Sequence, residues 1–215
     1  MLSLTINDEV CQLLPQRALF RPKNKSLYVA DTHWGKDETF RAHHIPLPEG
    51  GLNENLSRLS SALNITSAER LVILGDLVHS SHSLTSSVVK DIATWRKTYA
   101  NLEVQLIEGN HDRGVGALPS EWRVKTYSSN FDDEGIFLSH KPLLDVNYFS
   151  FCGHLHPTWT IRGQGKQQVN LPCFLQTNMS LIFPAFSLFS GSNAYQIHDI
   201  QHVYAITETQ VLKIK

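Results

Sequence analysis

Short apolar runs and amphipathic stretches alternate through the first half of the chain. Residues 27–30 and 71–74 are fully apolar, which is typical of strands buried on both faces, and 104–108 predicts a third strand. Leucines at helical spacing predict a helix over 52–64, and further helices are expected over 35–43 and 86–100. This alternation of strands and helices predicts a parallel sheet with helical crossovers.

The rest of the chain predicts mostly β-structure. Residues 2–20 alternate apolar and polar positions, which favours a small antiparallel pair before a turn at 22–25. Beyond residue 120, turns rich in Gly, Asn and Asp separate short predicted strands over 122–126, 135–139, 147–152, 158–162, 167–176, 180–185 and 202–214. Because no linker separates the two halves, the pattern predicts one α/β domain over 1–215 that contains two sheets.

Polar side chains are concentrated where the apolar runs stop. These strand-end groups are Asp31-Thr32-His33, Gly75-Asp76-Leu77-Val78-His79, Gly109-Asn110-His111-Asp112, Ser139-His140 and Gly153-His154-Leu155-His156. Ligands of open α/β sheets bind outside the carboxyl ends of the strands, so we expect these groups to meet at one place. The glycines before Asp76, Asn110 and His154 are expected to let the backbone turn sharply there.

The strand-end groups contain seven potential metal donors and no thiolate. They are Asp31, His33, Asp76, Asn110, His140, His154 and His156. Carboxylate, imidazole and amide donors suit Mn²⁺, Fe²⁺, Zn²⁺ or Mg²⁺. Seven donors are too many for one tetrahedral ion, so the set predicts two divalent ions that share one carboxylate.

Composition supports metal binding and excludes some function classes. The chain has 11 histidines in 215 residues, about 5% and roughly twice the usual share, and metal binding is the first explanation. A net charge of −1 excludes nucleic-acid binding through a global positive field but leaves a local basic patch open. Three widely spaced cysteines, short apolar runs and an N-terminus without signal-peptide features predict a cytoplasmic protein with no membrane association.

The ordered strand-end motifs resemble those of the calcineurin-like metallophosphoesterases, namely D-x-H, G-D, G-N-H-[DE], H and G-H-x-H, over residues 27–186. Further segments are similar to the bacterial DNA ligase-associated metallophosphoesterases, whose relatives include nucleases of double-strand-break repair. These segments are Val29-Ala30-Asp31-Thr32-His33-Trp34-Gly35-Lys36, Phe40-Arg41, Gly153-His154-Leu155-His156-Pro157, Leu171-Pro172-Cys173-Phe174 and Phe183-Pro184-Ala185-Phe186. The resemblance implies a four-layer α-β-β-α sandwich of two mixed sheets flanked by helices, with a two-metal site at the sheet edge.

The resemblance also implies roles for individual residues. One ion would be held by Asp31, His33, Asp76 and His156, and the other by Asp76, Asn110, His140 and His154, so Asp76 would bridge the two. Manganese is the first expectation for both ions. His111 would protonate the leaving group or stabilise the transition state, and Asp112 would orient His111. The reaction implied is attack on a phosphoester by a hydroxide that two metal ions activate.

Other polar residues near the motifs are weaker candidates. Substrate contact is considered for Arg113, His79, Lys36 and Arg41, against the alternative that they are solvated or support the metal donors. His43 and His44 are close enough in sequence to line the rim of the site. His82, His198 and His202 lack a motif and are interpreted as structural, and Phe183, Phe186 and Phe189 as core residues, with a homodimer contact as the alternative.

Three functions are compatible with this sequence. The first is a metal-dependent phosphodiesterase or nuclease that acts on DNA ends in repair, with a DNA ligase and a helicase as partners implied by the resemblance. The second is a phosphodiesterase or phosphatase of small, including cyclic, nucleotides. The third is a binding module that holds phosphate without turnover. Only 59 residues follow His156, and we expect them to finish the second sheet and not to form a separate domain that binds duplex DNA.

Overall fold

The computed structural model describes residues 1–45, 50–143, 147–165, 167–188 and 199–215. The strands are β1 Leu2–Ile6, β2 Glu9–Leu14, β3 Ala18–Arg21, β4 Ser26–Val29, β5 Arg70–Ile73, β6 Glu103–Ile107, β7 Val124–Tyr127, β8 Phe131–Asp133, β9 Ile136–Leu138, β10 Ser150–Cys152, β11 Thr158–Arg162, β12 Gln168–Gln176, β13 Ser180–Ile182, β14 His202–Ile206 and β15 Val211–Lys213. The α-helices of the described residues are α1 Lys36–Ala42, α2 Gly51–Thr66 and α3 Ser86–Thr98. Short 3-10 turns cover Pro22–Asn24, Ser81–Ser83, Asp112–Gly114 and Ser120–Trp122.

The first sheet brings three predicted strand ends to one edge. Its seven strands follow chain order, with antiparallel pairing from β1 to β4 and parallel pairing from β4 to β7. Val29 of β4 pairs with Ile73 of β5, and Ile73 pairs with Leu106 of β6. Because these parallel strands end in register, the residues that follow each of them emerge side by side.

The second sheet supplies the other two strand ends. Its order is β15-β14-β12-β13-β10-β9-β8, and β11 pairs with β12 alone. The central strands β9, β10 and β13 are parallel, with Phe151 opposite both Leu138 and Leu181. Ser139-His140 and Gly153-His154 therefore leave neighbouring strands at the same edge of this sheet.

Apolar side chains fill the layer on one face of the first sheet and the layer between the two sheets. The helices α2 and α3 pack against the first sheet through side chains such as Leu56, Leu59 and Ile92, each almost fully buried. The layer between the sheets contains Tyr28, Val72, Phe151 and Phe183 among others, all fully buried. Each apolar side chain hidden in this way contributes about 1.5–3 kcal/mol relative to exposure. The predicted architecture of two mixed sheets with flanking helices is confirmed.

The observed elements differ from the prediction in three places. Residues 2–21 form three strands and not one pair, because a second tight turn at residues 15–17 adds β3. The predicted strand 202–214 is two strands, β14 and β15, joined by a turn. The short β8 was not predicted. Within the described residues, no helix is long and apolar enough to cross a membrane.

Candidate metal centre

Six of the seven predicted donors form two compact groups at the strand ends. The first group is Asp31, His33 and His156, and the second is Asp76, His140 and His154. In each group, one donor atom from every side chain lies within 4.8 Å of the others. The seventh donor, Asn110, places its Oδ1 3.1 Å from His140 Nε2, so it joins the second group.

The two groups adjoin one another. His140 Nε2 lies 3.5 Å from Asp76 Oδ2, while His140 Nδ1 lies 4.0 Å from Asp31 Oδ1. His156 Nε2 lies 3.2 Å from Asp31 Oδ1 within the first group. The structure therefore brings together all seven side chains that the sequence singled out.

The backbone is left-handed at five of the seven donors. Asp31, His33, Asp76, His154 and His156 have φ values of 54°, 43°, 52°, 69° and 48°. Such values are uncommon for residues other than glycine and cost of order 1–3 kcal/mol each, so they persist only where surrounding contacts enforce them. These five residues all lie at the strand ends. The fold therefore tolerates unfavourable φ values at this edge in order to direct the donor side chains.

The three glycines of the motifs are needed for two different reasons, a left-handed φ at one position and lack of space for a side chain at the other two. Gly75 does adopt a left-handed turn, with φ of 83°. Gly109 and Gly153 do not have a left-handed φ, so their backbone conformation does not itself require glycine. A Cβ on Gly109 would overlap Asp76 Oδ1, and one on Gly153 would lie 2.5 Å from Asp31 Oδ2. These glycines are required because donor carboxylates pack directly against their Cα atoms.

Backbone groups orient the donor side chains. The His154 amide donates to Asp31 Oδ2 at 2.8 Å, and the His111 amide donates to Asp76 Oδ1 at 3.0 Å. His140 Nδ1 donates to the Leu74 carbonyl at 2.9 Å, since a carbonyl can only accept. That bond fixes the tautomer, leaving a lone pair on His140 Nε2, the arrangement typical of metal-binding histidines.

The donor groups fit divalent cations. His140 Nε2 faces Asn110 Oδ1 at 3.1 Å, Asp76 Oδ2 at 3.5 Å and a ring nitrogen of His154 at 3.1 Å, a convergence of lone-pair atoms. Both ring nitrogens of His33 and Asp31 Oδ1 are buried without a hydrogen bond among the described residues. Unsatisfied buried polar atoms are costly, and a cation here would satisfy Asp31 Oδ1 and one of the two His33 ring nitrogens.

Burial keeps the imidazoles in the form that binds metal. Desolvation lowers the pKa of His33 well below its usual range, and the positive charge of Lys36 lowers it further. Burial also lowers the pKa of His154, with a smaller contribution from His140. Neutral imidazole is the ligand form, so these shifts favour metal binding near neutral pH.

A second histidine cluster borders the donors. His79 and His111 stack with ring centroids 4.8 Å apart, and both approach the His33 ring edge-on. Phe40 stacks on the other side of His79 at 6.0 Å, a contact that the sequence did not suggest. Burial, followed by the charge of Lys36, lowers the pKa of His79 to about 4, so its ring is neutral at physiological pH.

The predicted role of Asp112 as the partner of His111 is wrong. The His111 Nδ1 atom contacts the His79 carbonyl at 2.7 Å instead. The Asp112 carboxylate accepts backbone N–H bonds from Asp76 at 2.8 Å, Gly109 at 2.9 Å, Leu77 at 2.9 Å and Val78 at 3.3 Å. A carboxylate so fully used by amides ties the Asp76 loop to the end of β6 and is not available to an imidazole.

The three predicted cationic substrate contacts differ in placement. Lys36 is close enough to the donors for Asp31 and Asp76 to oppose the lowering of its pKa that burial causes. Arg41 pairs with Glu38 at 2.6 Å and with Asp37 at 3.3 Å on its own helix, so its charge is already compensated there. Arg113 lies exposed on the turn after Asp112.

The remaining histidines and phenylalanines are more ordinary. His43, His44 and His82 are exposed, and the His43 and His82 rings lie 5.7 Å apart. His202 contacts the Lys215 carbonyl at 3.2 Å. Phe183 and Phe186 are fully buried, as expected for core residues. The predictions for His198 and Phe189, and the helix break at Pro46 and Pro48, lie outside the described residues.

Comparison with known proteins places this geometry in a family. The family model of calcineurin-like phosphoesterases matches residues 25–195. The crystal structure of Pseudomonas putida nuclease MPE matches with a TM-score of 0.85 and 28% identity, covering 98% of this chain and 99% of that one. Yfce, a phosphoesterase from E. coli, matches with a TM-score of 0.43 and 15% identity over 88% of this chain and 97% of that one. No curated protein matches. The chain belongs to the calcineurin-like phosphoesterases.

Proposed function

We propose that this protein is a binuclear metal-dependent phosphodiesterase or nuclease that hydrolyses phosphoester bonds of DNA ends or nucleotides in DNA repair. The family supports metal-dependent phosphoester hydrolysis. The observation that carries the binuclear part is the presence of two adjacent donor groups, one built on Asp31 and the other on Asp76. The name of the similar P. putida protein, a nuclease, supports the choice of a diester substrate.

The proposed ligands follow the two groups. Asp31, His33 and His156 would hold one ion, His140, His154 and Asn110 the other, and Asp76 would contribute to both. The mixture of carboxylate, imidazole and amide donors suits Mn²⁺, and Fe²⁺, Zn²⁺ and Mg²⁺ are the alternatives. When bound, the two ions would supply a nucleophilic hydroxide near neutral pH and offset negative charge on the phosphoryl oxygens.

His111 is positioned to serve the leaving group. Its Nδ1–H donates to the His79 carbonyl, so protonation adds a proton at Nε2. Nε2 lies 3.9 Å from Asp76 Oδ2, at the border of the second donor group. An imidazolium there donates its Nε2 proton to the departing oxygen, and in the earlier part of the reaction it stabilises charge on the phosphoryl group. Lys36 adds a second cation near the donors.

Asp112 acts on the same site indirectly under this proposal. By accepting four backbone N–H bonds it fixes the loop that carries Asp76 and the turn that carries His111. It is therefore a positioning residue and does not touch substrate.

The second candidate is a phosphodiesterase or phosphatase of small nucleotides. The near-neutral net charge favours it, because a chain of net charge −1 offers little long-range attraction to a polyanion. Under the first proposal, contact with DNA would come from a local basic patch or from a DNA ligase and a helicase as partners.

Turnover of three substrates in the presence of Mn²⁺ separates these functions. The substrates are an aryl phosphodiester, an aryl phosphomonoester and an end-labelled single-stranded oligonucleotide. We expect cleavage of the diester and the oligonucleotide, loss of both activities in Asp76→Asn, and wild-type rates in the exposed control Asp8→Asn. Brisk turnover of either aryl ester without oligonucleotide cleavage would refute the nuclease proposal, and no turnover of any of the three substrates would refute the proposal that the protein is a phosphoesterase.

A further inference from the structure

A buried segment links the second sheet to the loop that carries Asp31. Residues 183–187, here called the strap, follow β13. The strap begins where the Phe183 amide donates to the Cys152 carbonyl at 2.7 Å. It ends where the Phe186 amide donates to Ala30 at 2.8 Å and the Ser187 amide donates to the Asp31 carbonyl at 3.2 Å. The N–H groups of the strap thus bind the first sheet at Ala30 and Asp31, where the first donor group begins.

Two arginines hold the carbonyl groups of the strap. Arg17 Nη1 donates to the carbonyls of Ala185 at 3.1 Å and Ser187 at 2.8 Å. Arg58 Nη1 donates to the Phe186 carbonyl at 2.7 Å, and its guanidinium lies 5.5 Å from the centre of the Phe186 ring. The three successive carbonyls of residues 185–187 are therefore each bound by a cation.

The arginines keep their charge although they are largely hidden from water. Burial, followed by the charge of Arg58, lowers the pKa of Arg17 to about 10, which leaves it cationic at neutral pH. The Arg58 side chain is 15% exposed and pairs with Glu54 at 3.2 Å. Guanidinium groups present several donors in a fixed plane, so one side chain can satisfy two carbonyls at once, as Arg17 does.

The strap restrains the strained backbone of Asp31 directly. The Asp31 amide donates to Gly75 at 3.1 Å, and its carbonyl accepts from Ser187. Asp31 has φ of 54°, a conformation that relaxes unless neighbouring contacts enforce it. Loosening the strap would let the Asp31 backbone relax and move its carboxylate away from His33 and His156.

We propose that Arg17 and Arg58 are positioning residues, which act through the strap on Asp31 and set the affinity of the ion held by Asp31, His33 and His156. This inference rests on the ligand assignment of the proposed function. Residues that orient metal ligands change metal affinity by about 10–100-fold when mutated, so a tenfold effect is expected for each arginine. The other ion, held by His140, His154 and Asn110, should keep its affinity.

Arg96 offers a matched control. It is 2% exposed and donates to the carbonyls of Trp122 at 2.8 Å, Leu102 at 2.9 Å and Tyr99 at 3.1 Å. It is thus a buried arginine bound to three carbonyls, but it lies on α3 and does not contact the strap. Removing it should lower the unfolding temperature without a selective effect on one ion.

The test compares Arg17→Met, Arg58→Met, Arg17→Lys and Arg96→Met with the full-length wild-type protein. Calorimetric titration of the metal-free protein with Mn²⁺ gives the affinity of each ion, and hydrogen exchange with mass spectrometry gives the protection of residues 183–187. In both Arg17→Met and Arg58→Met we expect a tenfold loss of Mn²⁺ affinity for one ion and faster hydrogen exchange of the strap. Arg17→Lys should lose less affinity, and Arg96→Met should show neither effect.

Several outcomes would overturn the inference. Affinities within twofold of wild type in both Met variants would do so, as would an equal loss of affinity in Arg96→Met, which would show a general effect of lowered stability. Unchanged hydrogen exchange of residues 183–187 in both Met variants would show that the arginines do not stabilise the strap, whatever the result with metal. If the wild-type protein itself binds no Mn²⁺, the ligand assignment fails first, and the effect on affinity fails with it.

Discussion

Adding one methyl group at Gly109 should disable the proposed metal centre while leaving the fold in place. A Cβ at this position would overlap both Asp76 Oδ1 and the Asp76 backbone nitrogen. The backbone cannot retreat easily, because the Asp76 amide is held by Asp112 at 2.8 Å. The Asp76 carboxylate must therefore rotate away from the position between the two donor groups.

The size of the effect follows from the overlap. Restoring an ordinary non-bonded contact requires a carboxylate shift of about 1 Å, and misplacement by that distance at a reacting centre costs about a hundredfold in rate. A hundredfold corresponds to about 2.7 kcal/mol of lost transition-state stabilisation. Overpacking should also lower the free energy of unfolding by about 1–3 kcal/mol.

The assay is aryl phosphodiester turnover and Mn²⁺ content of Gly109→Ala, with thermal unfolding recorded on the same samples. Gly114→Ala is the matched control, because Gly114 lies in the next turn with nothing within 4 Å of an added Cβ and without a positive φ. Gly114→Ala should stay within twofold of wild type. Full Mn²⁺ content and turnover within threefold of wild type in Gly109→Ala would refute the role assigned to close packing against Asp76.

Three further predictions address the residues around the donors. Asp112→Asn should lower the free energy of unfolding by about 3 kcal/mol and the melting temperature by roughly 6–12 °C. The reason is that both oxygens of the Asp112 carboxylate accept N–H groups, whereas an amide has only one oxygen that can accept. A melting temperature within 2 °C of wild type would contradict this prediction. His111→Asn should reduce hydrolysis of a diester with an alkyl leaving group by about 10²–10⁴-fold but that of a nitrophenyl ester by less than about tenfold, since only the poor leaving group needs a proton; equal losses would exclude the general-acid role. The metal-free protein should lose stability as the pH falls from about 6.5 towards 4, because burial lowers the pKa values of His33 and His79 in the folded state. Over this range the unfolded chain binds protons at these histidines and the folded chain does not, so the lower pH favours unfolding. Thermal unfolding across that range should show a smaller decrease for His79→Asn, and identical curves for the two proteins would contradict the assignment to His79.

Much of the candidate site could be predicted because its information is local in sequence. Each donor lies within four residues of the end of an apolar run, as Asp31 follows Ala30 and Asp76 follows Leu74-Gly75. Parallel strands that end in register then bring such residues to one edge of the sheet, and no long-range side-chain contact is needed to predict this. The same local logic predicted α2, whose buried leucines follow helical spacing.

The features that escaped prediction depend on contacts between distant parts of the chain. The partner of Asp112 could not be read from its position beside His111, because its carboxylate points back to amides more than 30 residues earlier. Gly109 and Gly153 look like turn residues in sequence, and only the three-dimensional packing shows that space and not φ is their requirement. The short β8 is specified by its pairing with β9 and not by any apolar run of its own.

The long-range contacts of Asp31 have a consequence for the biosynthesis of the protein. Its carboxylate accepts from the amide of His154, 123 residues later in the chain, and its carbonyl accepts from Ser187. Contacts of such separation form late, since the whole intervening loop must close first. A nascent chain on the ribosome would therefore display Asp31, His33 and Asp76 long before the residues that complete their geometry have been made. Binding of the proposed first ion would then have to wait until His154 and His156 have been synthesised and have reached Asp31.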